Sequence, residues 1–371
     1  MKILVNMTFI TPKNLSRSIP IYVFRFVRSI KAEDRQNYIL LFNSKYVTFL
    51  HEIFPDFEYR TLFMGQLPLI KGFYKRLLPY TYSMKVDSIG ADIHLNTVDI
   101  DYISQRKHKN KKIVVVHDLK LLKDPNNNKL KKQFQFYKTN MENADVVIAI
   151  SEFTKKDIIA FFPQIDANKI HVIHNYIELS NFAVRPDHFP KKMDYVLYVN
   201  TLLKYKNVMT LIKAFNLIKD KTACNLVIIG RETNYWSEEV EPYIIENHLE
   251  ERVKRLQNLS NDELKYVYER ARLYVTTSTR EGFGYTPIEA AICKCPVIST
   301  TCEALPETTL NKVEYYMPPE DHVQLSEKML ELLQNTPSRD KLEQLSATFR
   351  SHYSKERFYG KFRELFNRLT K

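Results

Sequence analysis

One short segment of the sequence concentrates the residues that could perform chemistry. It begins at Glu281, continues through the loop Gly282-Phe283-Gly284-Tyr285, and reaches a predicted helix start at Thr286-Pro287-Ile288-Glu289. The chain has only seven glycines, and two of them lie in this loop. Glycine allows sharp turns and close backbone approach to a ligand, and proline at the first helical position fixes where a helix begins. We therefore expect the loop to aim backbone N–H groups, at the positive end of a helix, at a bound phosphate.

The composition limits the classes of protein that this chain could be. Its 371 residues are enough for two domains. Hydrophobic residues make up 44% and charged residues 26%, which is typical of soluble globular proteins. The sequence has no apolar run long enough for a membrane-spanning helix, and its first residues lack the apolar core of a signal peptide. A cytoplasmic location is therefore expected.

The four cysteines predict neither a disulfide framework nor a metal site. Cys293, Cys295 and Cys302 lie close together, but their irregular spacing, without a paired CxxC or HxxxH, is a poor zinc signature. We interpret them as small buried hydrophobic side chains, so no metal ligands are assigned.

The formal net charge of +12, from 55 Lys and Arg against 43 Asp and Glu, predicts attraction to an anionic partner. The segment 68–86 mixes Lys71, Lys75, Arg76 and Lys85 with aromatic and aliphatic residues. Such a segment can lie on an anionic membrane, or it can form a packed helix whose lysines face water. A nucleic-acid partner is not expected, because the sequence contains no recognisable nucleic-acid-binding module.

Apolar runs and helical patterns alternate along the first half of the chain. The runs are mostly continuous rather than alternating, which favours a parallel sheet buried on both faces. The predicted strands are residues 3–7, 38–42, 92–95, 112–116, 146–150 and 170–173. The predicted helices include residues 21–32, 128–143 and 152–162. This alternation predicts a doubly wound α/β domain.

The second half repeats this pattern after a break in periodicity at residues 180–194. The predicted strands are residues 195–199, 226–229, 253–256, 273–276, 297–299 and 313–316. The predicted helices are residues 208–219, 262–271, 288–293 and 324–334, followed by a charged, helix-like tail. In such sheets ligands bind at the carboxyl ends of the strands, which predicts a cleft between the two domains.

Several stretches in the right order resemble one known family. Glu281-Gly282-Phe283-Gly284, followed by Glu289-Ala290 and Pro296-Val297, resembles the signature of the family 4 retaining glycosyltransferases of the GT-B fold (glycosyl transferases group 1). Further similar stretches are Tyr198-Val199 with Lys206 and residues 211–215, Val116-His117-Asp118-Leu119, and Ser151-Glu152-Phe153-Thr154 with residues 169–175. The resemblance covers most of residues 110–320.

The resemblance implies an α/β GT-B architecture, with two Rossmann-like doubly wound domains facing an interdomain cleft and a C-terminal helical tail. Residues 1–185 would form the N-terminal, acceptor-binding domain. Residues 186–345 would form the C-terminal domain that binds the nucleotide-sugar donor. Residues 346–371 would form a C-terminal helix that packs back on the N-terminal domain.

The resemblance also implies roles for individual residues. Glu281 would contact the transferred sugar near the reacting carbon, and Lys206 would supply a cation to the diphosphate. The loop from Gly282 through Phe283, Gly284 and Tyr285 to Thr286 would bind phosphate through backbone amides. Glu289 would accept hydrogen bonds from the ribose hydroxyls. Thr286 and Glu289 also have the spacing of a capping box, which would instead hold the Glu289 carboxylate at the helix start.

His117 should lie at the carboxyl end of a strand, and the resemblance places it near the donor sugar and the reacting centre. The chain departs from the family at Asn200-Thr201, where Gly-Arg is usual, so the customary diphosphate-binding arginine is missing at Thr201. Lys204 is a candidate to replace it, although lysine offers a point charge rather than a fork of donors.

The function implied is a retaining, metal-independent hexosyltransferase without a cofactor. Its donor would be a GDP- or UDP-sugar, and its acceptor a hydroxyl of a polysaccharide or lipid-linked oligosaccharide. Peripheral contact with an anionic membrane would place the protein at the inner face of that membrane. Two alternatives are a nucleotide-sugar epimerase or phosphorylase on the same fold, and a basic nucleic-acid-binding protein.

Overall fold

The structure is a computed structural model that describes residues 1–15, 18–63, 71–97, 107, 109–123, 129–187, 189–190 and 193–370, with residues 71–76 described for the backbone only. Two compact units make up the chain. The first consists of Met1–Tyr176 and Lys355–Lys371, and the second of Ile177–Ser354.

The first unit is built on a parallel sheet of seven strands in the order β3-β2-β1-β4-β5-β6-β7. The strands are β1 (Ile3–Asn6), β2 (Tyr38–Asn43), β3 (Glu58–Leu62), β4 (Ile93–Asn96), β5 (Lys111–Val116), β6 (Val146–Ala149) and β7 (Ile170–Val172). The six strands predicted in this half are confirmed. The sequence analysis missed the edge strand β3, because its residues EYRTL are largely polar and partly exposed and so lack an apolar run.

The helices of the first unit flank this sheet and include the C-terminal helix of the chain. They are α1 (Ser18–Ser29), α2 (Val47–Ile53), α3 (Lys71–Ile89), α4 (Leu130–Glu142), α5 (Glu152–Phe161) and α13 (Lys355–Leu369). Within this unit α13 packs against α1, with the rings of Phe26 and Phe362 4.8 Å apart. Tyr359 joins α13 to β2 through a hydroxyl contact of 3.2 Å with Tyr38.

The basic segment 68–86 is only partly described. Residues 68–70 and the side chains of Lys71, Lys75 and Arg76 lie outside the described part of the chain. The rest of α3 is a packed helix whose Leu78, Tyr82 and Val86 lie in a buried apolar cluster. No described helix is both long enough and apolar enough to span a bilayer.

The second unit is built on a parallel sheet of six strands in the order β10-β9-β8-β11-β12-β13. The strands are β8 (Tyr195–Val199), β9 (Asn225–Ile229), β10 (Val253–Leu256), β11 (Leu273–Val275), β12 (Val297–Thr300) and β13 (Glu314–Tyr316). The helices are α6 (Val208–Ile218), α7 (Glu241–Glu246), α8 (Asn261–Arg270), α9 (Tyr285–Ile292), α10 (Leu305–Thr308), α11 (His322–Gln334) and α12 (Arg339–His352). Every strand matches a predicted one, so the doubly wound α/β class is confirmed for both units.

One face of the second sheet is covered by α6 and α11. Leu211, Ile212 and Phe215 of α6 are fully buried together with Leu325 and Met329 of α11. Burying each such side chain contributes about 1.5–3 kcal/mol relative to exposure. This packing holds α6 rigidly, and the loop that leads into α6 carries Lys206.

Candidate active site

The site is organised at the point where the order of the second sheet reverses. Strands β8 and β11 are neighbours there, with Leu273 paired to Val196, although 73 residues separate the end of β8 at Val199 from the start of β11. Both strands are parallel, so the loops that leave their carboxyl ends lie side by side. Such a position is the usual ligand-binding place of doubly wound sheets.

Glu281, on the loop after β11, has a side chain that is held at one oxygen. Its Oε1 forms an ion pair with the Nζ of Lys206, and it also accepts hydrogen bonds from Ser278 Oγ at 3.1 Å and Asn200 Nδ2 at 3.4 Å. The side chains of Lys206 and Glu281 are 9% and 13% exposed, so water screens this pair little. Oε2 of Glu281 accepts no hydrogen bond from the residues that the structure describes, which leaves it to accept one from a ligand.

Hydrogen bonds tie the two loops together behind this pair. The carbonyl of Lys206 accepts from the hydroxyls of Tyr198 and Thr277, both at 3.0 Å. The carbonyl of Tyr205 accepts from the N–H and the hydroxyl of Thr279 at 2.9 and 3.0 Å. Lys206 is therefore fixed at its backbone as well as at its ammonium group.

The predicted phosphate loop ends at the N-terminus of α9. Gly284 is the N-cap of this helix and has a φ of +78°, a left-handed conformation that glycine adopts without steric cost. Phe283 is buried against the rings of Tyr285 and Tyr353, at centroid distances of 5.0 and 5.7 Å. The aromatic packing anchors the loop, and the first amides of α9 follow directly.

The capping box considered for Thr286 and Glu289 is not formed, because Thr286 is the second residue of α9 and Gly284 is the N-cap. The hydroxyl of Thr286 accepts a hydrogen bond from Tyr274 at 2.7 Å instead. Oε2 of Glu289 accepts one from the hydroxyl of Tyr268 at 3.1 Å. Burial, followed by the nearby Glu289 charge, raises the pKa of Tyr268 well above its ordinary value, so this hydroxyl remains a donor. The ribose-binding role of Glu289 stays a prediction.

The two residues near the missing arginine lie on the loop after β8. Thr201 is exposed, and its N–H donates to the side-chain oxygen of Asn200 at 2.9 Å. The ammonium of Lys204 is paired with Glu239 at 2.9 Å, and its side chain is 76% exposed. An exposed pair of this kind is worth at most about 1 kcal/mol, so a diphosphate could displace Glu239.

His117 belongs to the first unit and directly follows β5. Its Nε2 donates to the carbonyl of Thr97 at 2.9 Å, and its ring meets the edge of the Tyr22 ring at 4.7 Å. Burial lowers the pKa of His117 below its ordinary value, against the opposing effects of Thr97 and Asp118. The ring is therefore neutral at pH 7, with its proton on Nε2 and an acceptor at Nδ1.

Asn200, Ser278, Tyr268 and Glu303 were not predicted from the sequence. The first three contact the carboxylates of the predicted glutamates, and Oε2 of Glu303 accepts from the N–H of Glu281 at 2.6 Å. Asn200 and Ser278 could have been suggested as polar residues just beyond the ends of central strands. Nothing in the local sequence points to Tyr268 or Glu303, because their partners are 21 and 22 residues away.

No zinc-like cluster is found in the described chain, where no group of three or more His, Cys, Asp or Glu side chains could hold a metal ion. Cys224, Cys293 and Cys295 are buried free thiols, and Cys302 is half-buried. Burial raises the pKa of Cys293 to about 12, so it is inert at neutral pH.

Comparison with known families gives two matches that together span most of the chain. A model described as glycosyl transferases group 1 matches residues 182–348, and one described as glycosyltransferase family 4 matches residues 60–181. The first match contains Lys206, Glu281 and Glu289, and the second contains His117.

Several curated proteins are similar to the chain. The O-antigen chain mannosyltransferase RfbU of Salmonella typhimurium is 30% identical over 209 residues, which are 56% of this chain and 57% of that protein. The O-antigen chain mannosyltransferase B of Escherichia coli is 26% identical, over 54% of this chain and 55% of that protein. The chain thus spans little more than half the length of these two relatives. An uncharacterized glycosyltransferase of Methanocaldococcus jannaschii is 25% identical over 95% of both chains.

Solved structures of similar fold cover the whole chain. A sucrose-phosphate synthase from Thermosynechococcus elongatus aligns with a TM-score of 0.74 and 18% identity, over 100% of this chain and 99% of that one. Anabaena HepE, in a complex with UDP and glucose, aligns with a TM-score of 0.73 and 15% identity over 99% of each chain. At these identities the likeness shows the fold alone.

Proposed function

Since the chain belongs to the family 4 glycosyltransferases of the GT-B type, we propose that it transfers a hexose from a nucleotide diphosphate sugar to a hydroxyl group. The proposed acceptor is a polysaccharide or a lipid-linked oligosaccharide. The reaction retains the configuration of the anomeric carbon and uses neither a metal ion nor a cofactor.

The observation that carries this proposal is the Lys206–Glu281 pair beside the N-terminus of α9. When the bond between sugar and diphosphate breaks, negative charge develops on the leaving oxygens. A fixed ammonium group and backbone N–H groups can stabilise that charge with little reorganisation. Because Lys206 would bind the diphosphate, the adjacent Glu281 carboxylate would lie at the sugar end of the donor.

The arrangement favours a front-side reaction over a covalent sugar–enzyme intermediate. Oε1 of Glu281 is occupied by Lys206, Ser278 and Asn200, so the carboxylate is a weakened nucleophile but a well-placed acceptor for a sugar hydroxyl. In the proposed step the acceptor hydroxyl bonds to the anomeric carbon as the sugar–phosphate bond breaks. The leaving phosphate oxygen takes the hydroxyl proton.

The relatives support a choice of first substrates. Two curated relatives are O-antigen chain mannosyltransferases, and one fold neighbour was solved with UDP and glucose. We therefore propose GDP-mannose and UDP-glucose as the first donors to test, with glycan chains and lipid-linked oligosaccharides as acceptors.

The catalytic assignment is tested by Glu281→Gln, with Glu246→Gln as a control at an exposed glutamate of the same unit. The amide oxygen can still accept from Lys206, so we expect the fold to persist. Loss of the carboxylate charge should lower kcat by at least about 100-fold, the effect of removing one transition-state contact. Steady-state transfer assays and thermal melting of each variant measure both quantities.

Near-normal transfer by Glu281→Gln would refute the role of this residue. Omitting the acceptor provides a second test, because a transferase should then leave the donor sugar unaltered apart from slow hydrolysis. Interconversion of donor sugars without an acceptor would identify an epimerase instead.

We also propose that the first unit contacts an anionic membrane through α3. Opposite its buried face, α3 exposes Leu77, Tyr80 and Met84, which are spaced to share one side of the helix. Met84 is 72% exposed, which is unusual for a large apolar side chain. The sequence adds Lys71, Lys75 and Arg76 to the first turns of the same helix, a combination typical of interfacial helices.

This membrane contact is tested by flotation with anionic liposomes at low salt. Changing Lys71, Lys75 and Arg76 to Gln removes three charges, each worth about 1 kcal/mol near such a surface, so binding should weaken about 100-fold. The matched control changes the exposed Lys131, Lys132 and Lys156 to Gln and should bind nearly as well as the unaltered protein. Equal loss in both triple variants would indicate attraction by net charge alone.

A further inference from the structure

Glu303 has a backbone conformation that its side chain disfavours. It lies on the loop between β12 and α10, with a φ of +51°. In this left-handed region the Cβ of an L-residue crowds the following carbonyl, so glycine or asparagine usually takes such positions. A strained residue of this kind persists only where its surroundings require it, and such residues cluster at functional sites.

Glu303 and the next residue, Ala304, both contact the backbone of Glu281. The N–H of Glu281 donates to Oε2 of Glu303 at 2.6 Å, a short bond to a carboxylate. The N–H of Ala304 donates to the carbonyl of Glu281 at 3.2 Å. Both backbone polar groups of Glu281 are thus held by two consecutive residues of another loop. The left-handed turn at Glu303 gives that loop the path that makes both contacts.

These contacts complete the fixation of Glu281. Its side chain is held by Lys206, Ser278 and Asn200, but none of these three contacts its peptide groups. Without the Glu303 carboxylate, the Glu281 N–H would donate to water instead. The Glu281 backbone could then move, and the Glu281 carboxylate would move with it. A displacement of about 1 Å at a reacting centre can cost about 100-fold in rate.

We infer that Glu303 is a positioning residue, which fixes the Glu281 peptide and through it the carboxylate proposed to face the donor sugar. The expected effect of Glu303 on the transfer rate rests on the proposed function. The fixation of the Glu281 peptide by Glu303 does not. The hydrogen bond from the Glu281 N–H to the Glu303 carboxylate offsets the cost of the left-handed backbone at Glu303.

Two variants of Glu303 separate this role from general stability. Glu303→Gly removes the carboxylate and also the backbone strain; loss of the hydrogen bond opposes the relief of strain, so its melting temperature should stay within about 2–4 °C of the original. Glu303→Gln keeps a side-chain oxygen that can accept the same hydrogen bond. His248→Gly is the matched control, because the exposed His248 also has a positive φ, of +53°, and lies outside the site.

Hydrogen exchange at the Glu281 amide tests the fixation of the Glu281 peptide without any substrate. We expect exchange at least about tenfold faster in Glu303→Gly, and close to the original rate in Glu303→Gln and His248→Gly, because a lost protecting bond exposes the amide to local opening. Unchanged exchange in Glu303→Gly would overturn the inference, whether or not the protein is a glycosyltransferase.

Transfer assays test the effect on rate. We expect kcat to fall at least about tenfold in Glu303→Gly, with a smaller change in KM, and to remain within about threefold in Glu303→Gln, since positioning errors act mainly on the reacting step. Full activity of Glu303→Gly would overturn the inference, and so would equal losses in the Gly and Gln variants. If the unaltered protein transferred sugar from none of the donors, that result would instead contradict the proposed function. The role of Glu303 would then be decided by hydrogen exchange at the Glu281 amide.

Discussion

The candidate active site contains charged residues whose partners lie far away in the sequence. Glu281 and Lys206 are 75 residues apart and form a largely buried ion pair. The net worth of such a pair is small, because desolvation of both charges opposes their attraction, whereas removal of one partner leaves an unpaired buried charge. The pair is therefore better explained by a functional requirement than by a gain in stability.

His117 illustrates how burial sets a protonation state at a single residue. Its folded pKa lies below the ordinary value of 6.5, so the unfolded chain binds this proton more readily. The stability that the neutral ring contributes is complete above pH 6.5 and is lost as the pH falls from 6.5 to the folded pKa. We expect the ring to be mainly neutral at pH 6.5.

Two-dimensional NMR of the imidazole nitrogens between pH 8 and 5 measures this protonation. The His117→Gln variant identifies the signal, and its stability should fall less steeply below pH 6.5 than that of the original protein. A ring that is half protonated at or above pH 6.5 would contradict the expectation.

At the scale of elements, the start of α9 sets the direction of the backbone amides that are predicted to bind phosphate. Gly284 caps this helix in a left-handed conformation, and an added Cβ would lie 2.6 Å from Cδ2 of Leu305. Gly284→Ala should therefore suffer both backbone strain, about 1–2 kcal/mol, and overpacking, about 1–3 kcal/mol. The loop should also shift, so transfer activity should fall together with the urea midpoint.

Gly90→Ala is the matched control for the backbone contribution. Gly90 has a similar φ of +69°, but no atom of the described residues lies within 4 Å of an added Cβ. This variant should lose about 1–2 kcal/mol from strain alone and retain activity. Equal destabilisation by the two substitutions would show that the contact with Leu305 is easily relieved.

At the scale of the whole molecule, donor binding should stabilise the folded chain. A nucleoside diphosphate at about 100 times its Kd should add about 2.7 kcal/mol to the free energy of unfolding. Lys206→Gln should weaken binding about 10–100-fold, because a charge-assisted hydrogen bond is worth about 1.5–3 kcal/mol. Thermal shifts with UDP, GDP and ADP measure this, and they also report the preferred base.

Lys221→Gln is the control for this measurement, because it removes one charge from an exposed position of the same unit. It should leave the thermal shift unchanged. Equal weakening by the two lysine substitutions would assign the binding to net charge, and a full thermal shift in Lys206→Gln would remove this residue from the diphosphate site.

The sequence was sufficient for the fold class and for much of the candidate site. Strands of a parallel sheet that is covered on both faces need apolar side chains on both sides. Continuous apolar runs such as residues 146–150 therefore predict buried parallel strands. The polar edge strand β3 was missed because its pairing with β2 is a tertiary property. The capping box at Thr286 and Glu289 was a wrong alternative, because a helix N-terminus depends on the path of the preceding loop as well as on residue type.

By itself the sequence determined the local features of this protein: the two strand–helix alternations, the glycine loop before α9, and the pair of glutamates that resembles a family signature. These follow from residue type and short-range periodicity. Only the tertiary structure decided that Lys206 meets Glu281 and that Glu303 holds the Glu281 peptide. The physical reason is that the order of strands β8, β11 and β12 brings their loops together, and that order follows from the packing of the whole unit.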